Sequence, residues 1–340
     1  MNRLARVRAL GGICLAAIVL AAPAPANAAP APANAAPGID TSAMVTADAA
    51  TTPDAIRRTT AYWTPERMTT ARPVTMAVDR APHRAAPAVG AAVSRTPEWF
   101  GPSGASPQAG GFPWDGFAAA PIAQRTGKLF FTLPGTGNSY CSASVVSSQN
   151  RDLVWTAAHC LYESGAFATN VVFVPFYHNG QSPNGTWTAR QVRITPEYAA
   201  GSLLADVGAV VLNTGGLYGL HVADHVGALA IAFFQPTDMF VYTFGYPTQP
   251  FLQYDGEELI YCLGFTANRI PGLDPPSLRA ECDMREGASG GPWTAYFNGF
   301  FGTVIAVSSY YLPGDPPGAY LYGAYNGQAA RNLYEGVRSL

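Results

Sequence analysis

Short hydrophobic stretches recur along the chain from Lys128 onward, and each is interrupted by Gly, Pro or Asn. They are rich in β-branched and aromatic residues and have the length of strands rather than of helices. The stretches span residues 128–133, 142–147, 153–157, 171–174, 207–212, 239–244, 258–262 and 302–308. Strands spaced in this way predict an all-β sandwich or barrel.

A helical repeat of apolar residues is found at the C-terminal end, in residues 328–340. Ala329, Leu333 and Val337 follow one another at four-residue steps, so they share one helix face. We expect this helix to pack against the sheet.

The stretch from residue 29 to 120 has a different composition. It is rich in Ala, Pro, Thr and Ser and shows no sustained strand or helix period, which predicts a largely disordered linker or pro-segment. Within it, Thr64 as N-cap and Pro65 at the first helical position predict a short helix. Two interpretations stay open: a fraying turn, or a pro-segment element that docks on the folded domain.

The N-terminus predicts an export signal over residues 1–28. Arg3, Arg6 and Arg8 precede the uncharged apolar residues 9–22, and the small residues 26–28 follow. The apolar stretch is too short to span a bilayer, so we expect cleavage after Ala28 and no membrane anchor. The protein is therefore expected to be secreted and extracellular.

Composition excludes several classes of protein. The 340 residues carry a net charge of 20 − 22 = −2, which gives no support for nucleic-acid binding. The hydrophobic fraction of 48 % is enough for a sizeable core, so a wholly disordered chain is excluded. Four of the five cysteines lie beyond the signal, and an even number in an exported chain indicates two disulfides with three possible pairings.

The first candidate for chemistry is Ser289, in the sequence Glu-Gly-Ala-Ser-Gly-Gly-Pro of residues 286–292. Glycines let a tight turn expose the serine hydroxyl and bring main-chain N–H groups together as an oxyanion hole, here those of Gly287 and Ser289. A single such donor is worth about 2.7–4 kcal/mol in the transition state. The same string alone is also consistent with an ordinary turn.

Two further residues complete a candidate triad. His159 ends a predicted strand in the sequence Thr-Ala-Ala-His-Cys, and histidine has the pKa needed to take a serine proton. Asp206 opens an apolar strand, where an unpaired carboxylate would be costly unless it paired with the histidine ring. Taken alone, Asp206 would be better explained as a surface aspartate that caps a turn.

The three residues occur in the order His, Asp, Ser, with spacings of 206 − 159 = 47 and 289 − 206 = 83. Residues 156–160, 205–208 and 287–292 resemble the chymotrypsin-fold serine peptidases, in particular the secreted bacterial trypsin-like and V8-like (glutamyl endopeptidase) enzymes. Residues 130–132, 186–190, 244–247 and 331–334, and residues 63–68 of the pro-segment, resemble the same group. The resemblance covers about residues 125–335.

This resemblance implies two antiparallel six-stranded β-barrels with the active site between them and a C-terminal helix. We place the first barrel at residues 121–230, with His159 and Asp206, and the second at residues 231–340, with Ser289. The resemblance also implies the disulfides Cys141–Cys160 and Cys262–Cys282.

The sequence departs from the trypsin pattern near the nucleophile. Ala288 stands where animal trypsins carry the aspartate that pairs with the new N-terminus, so that activation switch is missing, although removal of a pro-segment remains expected of a zymogen. Asp283 lies six residues before Ser289, the offset of the trypsin specificity aspartate. It either faces the substrate pocket, favouring basic P1 residues, or points to solvent beside Arg285.

Ser308 is a further candidate for the pocket wall and for accepting hydrogen bonds from the catalytic histidine. Val307 stands where glutamyl endopeptidases carry a histidine that helps to bind acidic P1 residues. This weighs against strict Glu specificity, so a basic or broad preference is favoured.

The resulting prediction is a secreted, monomeric serine-type endopeptidase that acts on protein or peptide substrates and needs no metal or organic cofactor. Two alternatives stay open: a non-catalytic, protease-like binding protein, and an esterase that uses the same triad. His221 and His225 lie four residues apart and could bind a metal ion together if this stretch is helical. A structural zinc site requires four ligands, however, and the sequence shows no third one nearby.

Overall fold

The computed structural model describes residues 44–74, 77–78, 98–100, 111–114, 120–249, 254–268, 275–315 and 320–340. The predicted signal at residues 1–28 lies outside these residues. The described residues belong to one compact unit that runs from Ile39 to Leu340. In these parts of the chain, no helix is both long enough and apolar enough to cross a membrane.

Strands dominate the fold, as the hydrophobic pattern predicts. They are β1 (Val45–Asp48), β2 (Arg72–Pro73), β3 (Glu98–Phe100), β4 (Phe112–Pro113), β5 (Thr126–Leu133), β6 (Gly137–Val145), β7 (Leu153–Thr156), β8 (Tyr162–Glu163), β9 (Ala166–Phe167), β10 (Thr169–Pro175), β11 (Trp187–Ile194), β12 (Gly208–Leu212), β13 (Ala230–Phe233), β14 (Phe240–Gly245), β15 (Thr248–Gln249), β16 (Tyr254–Asp255), β17 (Ile260–Phe265), β18 (Ala267–Asn268), β19 (Ser277–Glu281), β20 (Pro292–Ala295), β21 (Thr303–Tyr310) and β22 (Tyr320–Tyr325).

The helices are short. They are α1 (Pro53–Tyr62), α2 (Pro65–Thr69), α3 (Pro121–Arg125), α4 (Pro196–Ala199), α5 (Val222–Val226) and α6 (Gln328–Val337), with 3₁₀ turns at Ala158–Cys160 and Leu203–Ala205.

The first sheet closes into a barrel. Its antiparallel strands follow the order β11-β10-β5-β6-β7-β12, and β12 pairs with β11 to complete the ring of six. Closure leaves no free edge in the ring. Large side chains of its strands are fully buried, among them Phe130, Trp155 and Trp187.

The second sheet is a half-barrel whose strands follow the order β19-β22-β21-β20-β14-β17. Its core includes the fully buried Leu278, Trp293 and Ile305. β13 pairs with β21 in parallel, and β3 and β4 add to β13 and β17 from the stretch that precedes the first barrel. The prediction of an all-β, two-barrel architecture is confirmed, with the second barrel less completely closed than the first.

The predicted C-terminal helix is present as α6 and joins the two sheets. Leu333 and Val337 are buried as expected, together with Ala330 and Tyr334. The Tyr334 hydroxyl donates to the carbonyl of Ser147 at 2.7 Å, and its ring lies 5.3 Å from that of Phe233. Because Ser147 follows β6 and Phe233 ends β13, the helix packs on both halves of the molecule.

Residues 44–74 fold onto the first barrel, so the expectation of a largely disordered stretch does not describe them. β1 extends the sheet beside β11, and α2 begins after Thr64, whose Oγ1 accepts from the N–H of Arg67 at 3.3 Å. Trp63 and Met68 are 5 % and 3 % exposed. A few large apolar side chains in an otherwise Ala- and Pro-rich stretch are enough to bind it to the barrel surface.

Candidate active site

His159 lies in a 3₁₀ turn that directly follows the end of β7. The neighbouring Cys160 forms a disulfide with Cys141 of β6, which ties this turn to the adjacent strand. The side chain of His159 is 6 % exposed. The imidazole is thus held at the end of a rigid strand rather than on a mobile loop.

Asp206 ends the 3₁₀ turn before β12 and is fully buried. β12 pairs with β7, with Gly208 opposite Thr156, and this register brings the aspartate beside the histidine turn. One carboxylate oxygen lies 2.7 Å from Nδ1 of His159, and the other accepts the main-chain N–H of the same residue at 2.9 Å. A buried carboxylate needs such partners, because an unpaired one is costly.

A third donor to this carboxylate comes from Ser309, which the sequence analysis did not identify. Its hydroxyl donates to Oδ2 of Asp206 at 2.6 Å from strand β21. The adjacent Ser308, which we expected to contact the histidine, instead accepts a hydrogen bond from Nε1 of Trp293 at 3.0 Å. No motif in the sequence distinguishes the two neighbouring serines, because only the register of β21 decides which one faces Asp206.

The second ring nitrogen of His159, Nε2, is buried and has no hydrogen-bond partner within the described residues. With Nδ1 directed at a carboxylate, Nε2 is the atom that can accept a proton from a neighbouring hydroxyl.

Ser289 lies in a turn that two glycines make possible. Gly287 and Gly290 have φ values of +84° and +78°, which L side chains rarely adopt. A Cβ on Gly287 would lie 2.5 Å from the carbonyl oxygen of Tyr246, and one on Gly290 would overlap the hydroxyl of Thr156. Since Thr156 is three residues before His159, the turn places Ser289 next to the histidine end of the first barrel.

Main-chain hydrogen bonds hold Ser289 between the two sheets. Its carbonyl accepts the N–H of Ser142 from the first barrel at 2.8 Å. The N–H of Gly290 donates to the carbonyl of Ser308 in the second sheet at 2.7 Å. The hydroxyl of Ser142 also donates to the carbonyl of Gly287 at 2.8 Å, which fixes the orientation of the turn. Ser289 is 6 % exposed.

The N–H of Gly287, one of the two predicted oxyanion donors, points out of the turn. It donates at 3.1 Å to the carbonyl of Val74, from the segment that precedes the first barrel. The assignment of Gly287 and Ser289 as oxyanion-hole donors stays a prediction.

Two cavities flank these residues. A cavity of about 470 Å³ is lined by His159, Val74, Tyr162, Tyr198 and Leu203, among others. A small one of about 10 Å³ lies beside Ser289. Its lining residues are Arg285, Ser289, Ser308, Ser309, Tyr310, Tyr311 and Leu321.

Arg285, and not Asp283, is the charged residue on the wall of the small cavity. Its guanidinium donates to the carbonyl of Tyr320 at 2.9 Å and lies 4.8 Å from the ring centre of Tyr311. Burial lowers the pKa of Arg285 from its ordinary value. The carboxylate of Asp283 accepts from the Tyr254 hydroxyl at 3.2 Å, and its role as a substrate contact stays a prediction.

Both disulfides implied by the resemblance are formed, Cys141–Cys160 and Cys262–Cys282. Each lies in a group of possible metal ligands, one with His159 and one with Asp283. Bridged sulfurs are not thiolates, and the thiolate is the form that binds metal. His221 and His225 diverge: Nδ1 of His221 lies 2.7 Å from Asp152, and His225 packs against Trp187.

The comparisons with known proteins agree with this geometry. No protein-family model and no curated protein matches the chain. Among solved structures, the protease Anisep from Arthrobacter nicotinovorans is 34 % identical, with a TM-score of 0.58 over 64 % of this chain and 97 % of that one. The thermostable serine protease AL20 from an extremophilic microorganism is also 34 % identical, with a TM-score of 0.58 over 64 % and 99 % of the two chains.

A more distant structure has the same fold. A Glu endopeptidase is 15 % identical, with a TM-score of 0.52 over 68 % of this chain and 98 % of that one. The relatives at 34 % identity are matched over nearly their whole length. The chain therefore belongs to the bacterial serine proteases of the chymotrypsin fold.

Proposed function

We propose that the protein is a secreted serine endopeptidase that hydrolyses peptide bonds through Ser289, His159 and Asp206. The observation that carries this proposal is the histidine: Nδ1 lies 2.7 Å from a buried carboxylate, and Nε2 has no partner among the described residues. A structural histidine would use both nitrogens, whereas a general base keeps one available.

In the proposed mechanism, the Ser289 hydroxyl attacks the peptide carbonyl while His159 takes its proton at Nε2. Asp206 orients the ring and stabilises the imidazolium. The N–H groups of Gly287 and Ser289 stabilise the tetrahedral oxyanion. His159 then gives the proton to the leaving amine, and water repeats both steps on the acyl-enzyme. The mechanism uses no metal or organic cofactor.

The charge beside Ser289 bears on substrate preference. Arg285 lines the small cavity, and its half-buried guanidinium donates hydrogen bonds to the carbonyls of Met284 and Tyr320. A guanidinium repels a basic side chain and attracts a carboxylate. We therefore keep a broad P1 preference from the sequence analysis and propose that it favours acidic over basic residues, with Asp283 directed to Tyr254.

Secretion and synthesis as a zymogen are part of the same proposal. They are supported by the predicted signal at residues 1–28 and by the two disulfides, which persist in oxidising compartments.

The test is fluorophosphonate labelling of the secreted protein, followed by intact-mass measurement. Labelling is expected of the wild type and of Ser148→Ala, which removes a hydroxyl that donates to Oδ1 of Asn150 at 2.8 Å. Ser289→Ala should neither be labelled nor hydrolyse peptides. Hydrolysis retained in Ser289→Ala would overturn the proposal. Turnover of small esters without cleavage of peptide amides would instead support an esterase.

A further inference from the structure

The segment that follows α2 enters the groove between the two sheets. Its first residues form β2, which pairs in parallel with β6: Arg72 lies opposite Ser139 and Pro73 opposite Tyr140. β6 also carries Cys141 and Ser142, which hold the histidine turn and Ser289. β2 therefore adds to the strand that supports the candidate active site.

Val74 makes two main-chain hydrogen bonds at this site. Its N–H donates to the carbonyl of Tyr140 at 3.0 Å, and its carbonyl accepts the N–H of Gly287 at 3.1 Å. Val74 also lines the larger cavity together with His159. The Val74 carbonyl is thus hydrogen-bonded to the N–H of Gly287, one of the two groups that stabilise the oxyanion in the proposed mechanism.

The segment then reaches the other side of Ser289. Ala77 forms a parallel bridge with Tyr311, and the N–H of Val78 donates to the carbonyl of Tyr311 at 3.2 Å. Tyr311 lines the small cavity next to Ser289, and Val78 packs on the cluster formed by Tyr310, Leu312 and Tyr322. The described residues of the segment therefore contact both walls of the groove.

The elements before this segment fix its position. Nε1 of Trp63 donates to the carbonyl of Asn170, and the Trp63 ring lies 5.3 Å from that of Phe130. The Tyr62 hydroxyl donates to Oδ1 of Asn138 at 2.7 Å. β1 forms four residue pairs with β11, from Val45 to Asp48. These anchors hold the segment against the groove from one end.

We propose that residues 72–74 and 77–78 act as an intramolecular peptide ligand of the active-site groove, with the Val74 carbonyl in the oxyanion hole, and that the uncut chain is therefore an inactive precursor. This inference rests on the proposed function for its effect on activity, but not for the contact itself. An extended peptide bound by main-chain hydrogen bonds to a strand is the ligand class that the groove accepts.

Covalent linkage makes the ligand effective. A tethered segment acts at an effective concentration on the order of millimolar, whereas a separate peptide is diluted to its actual concentration. Hydrolysis of a peptide bond C-terminal to Val78, in which water adds across the bond, would release the part of the chain before the cut, with Val74 and Val78, as a separate peptide. Dissociation of that peptide then frees Gly287 and Ser289 for substrate.

The first experiment compares uncut full chains, checked by intact mass, for the rate of fluorophosphonate labelling. In Val74→Pro/Val78→Pro, the two N–H donors to Tyr140 and Tyr311 are lost while α1, α2 and β1 are kept. We expect this variant to be labelled at least about 10-fold faster than the uncut wild type. The matched control, Val74→Thr/Val78→Thr, keeps both N–H groups and the β-branched shape, and it should behave as wild type. Measurable labelling at the same rate in the uncut wild type and the proline variant would overturn the inference.

The second experiment does not depend on catalysis. Amide hydrogen exchange at Gly287 is measured in the full-length Ser289→Ala chain, with and without the two proline substitutions. If exchange at Gly287 is slow and becomes fast with the proline substitutions, the result supports binding of Val74 in the groove. Fast exchange in both chains overturns the inference, whatever the activity. Protection at Gly287 combined with an absence of labelling in every variant would contradict the proposed function and leave the contact standing.

Discussion

The carboxylate of Asp206 binds His159 at two points, the ring nitrogen Nδ1 at 2.7 Å and the main-chain N–H at 2.9 Å. The first contact sets the direction of the ring and the second fixes the turn that carries it. Asp206 is fully buried, so both contacts lie in a low-dielectric environment where they are strong. The geometry of the base therefore depends on one residue from the next strand of the same barrel.

Replacing this carboxylate should remove most of the activity without unfolding the protein. In Asp206→Asn, the amide favours the wrong tautomer of His159, and we expect kcat to fall on the order of 10⁴-fold at neutral pH. The measurement is steady-state hydrolysis of a peptide substrate. Asp224→Asn, at a surface carboxylate paired with Arg151, is the control and should keep wild-type kinetics. A residual kcat above a tenth of wild type in Asp206→Asn would show that Asp206 does not orient the base.

The hydroxyl of Ser309 is expected to be a positioning group for Asp206. Ser309→Ala removes a hydrogen bond to a carboxylate, a contact worth about 1.5–3 kcal/mol, and we expect kcat to fall about 10-fold. More of the carboxylate charge then acts on the imidazolium, so the acid limb of the pH–rate profile should move to higher pH.

The neighbouring serine provides a comparison for this prediction. Ser308→Ala leaves the buried Nε1 of Trp293 without its acceptor, which should lower the free energy of unfolding by about 1–3 kcal/mol. Its pH–rate profile should stay in place. If both variants shift the profile equally, the effect comes from packing of β21 and not from the Asp206 contact.

Substrate preference should respond to Arg285. The wild type is expected to cleave a peptide with Glu at P1 faster than the same peptide with Arg, because the guanidinium lies beside Ser289. Arg285→Gln should reduce the ratio of kcat/KM for Glu over Ala by about 10-fold, a change of about 1.4 kcal/mol.

The alternative, that Asp283 sets the P1 preference, is tested with Asp283→Asn and the same peptides. Asp283 is held by Tyr254, so this substitution should leave the order of preference unchanged. A wild type that prefers Arg at P1, and loses that preference in Asp283→Asn, would assign specificity to Asp283.

The buried Lys128 predicts a dependence of stability on pH. Burial lowers its pKa to about 8, although Glu257 at 3.1 Å opposes the shift. Between pH 8 and about 10, the unfolded chain keeps this proton and the folded chain loses it, so the free energy of unfolding should rise with pH. The slope from this group is at most about 1.4 kcal/mol per pH unit.

Denaturant unfolding of the wild type and of Lys128→Met at pH 7.5, 8.5 and 9.5 measures this slope. We expect the free energy of unfolding of the wild type to rise relative to that of Lys128→Met as pH increases. A constant difference would mean that Lys128 stays charged in the folded protein throughout this range.

By itself, the sequence determined the all-β class, the C-terminal helix and the candidate residues His159, Asp206 and Ser289. These follow from local signals: the hydrophobic period of a strand, the glycines around a serine, and the order of three residues along the chain. Local signals also indicated the helix after Thr64, because capping depends on adjacent residues.

Only the tertiary structure decided which groups meet across distant parts of the chain. The register of β21 turns Ser309 toward Asp206 and Ser308 toward Trp293, and a shift of one residue would exchange them. The position of residues 72–74 likewise depends on Trp63 and Met68, which pack in the core cluster of the first barrel. Arg285 lies beside Ser289 because of the loop after Cys282, and no spacing rule predicts that placement. Contacts of this kind arise from packing of elements far apart in sequence, so no pattern along the chain encodes them.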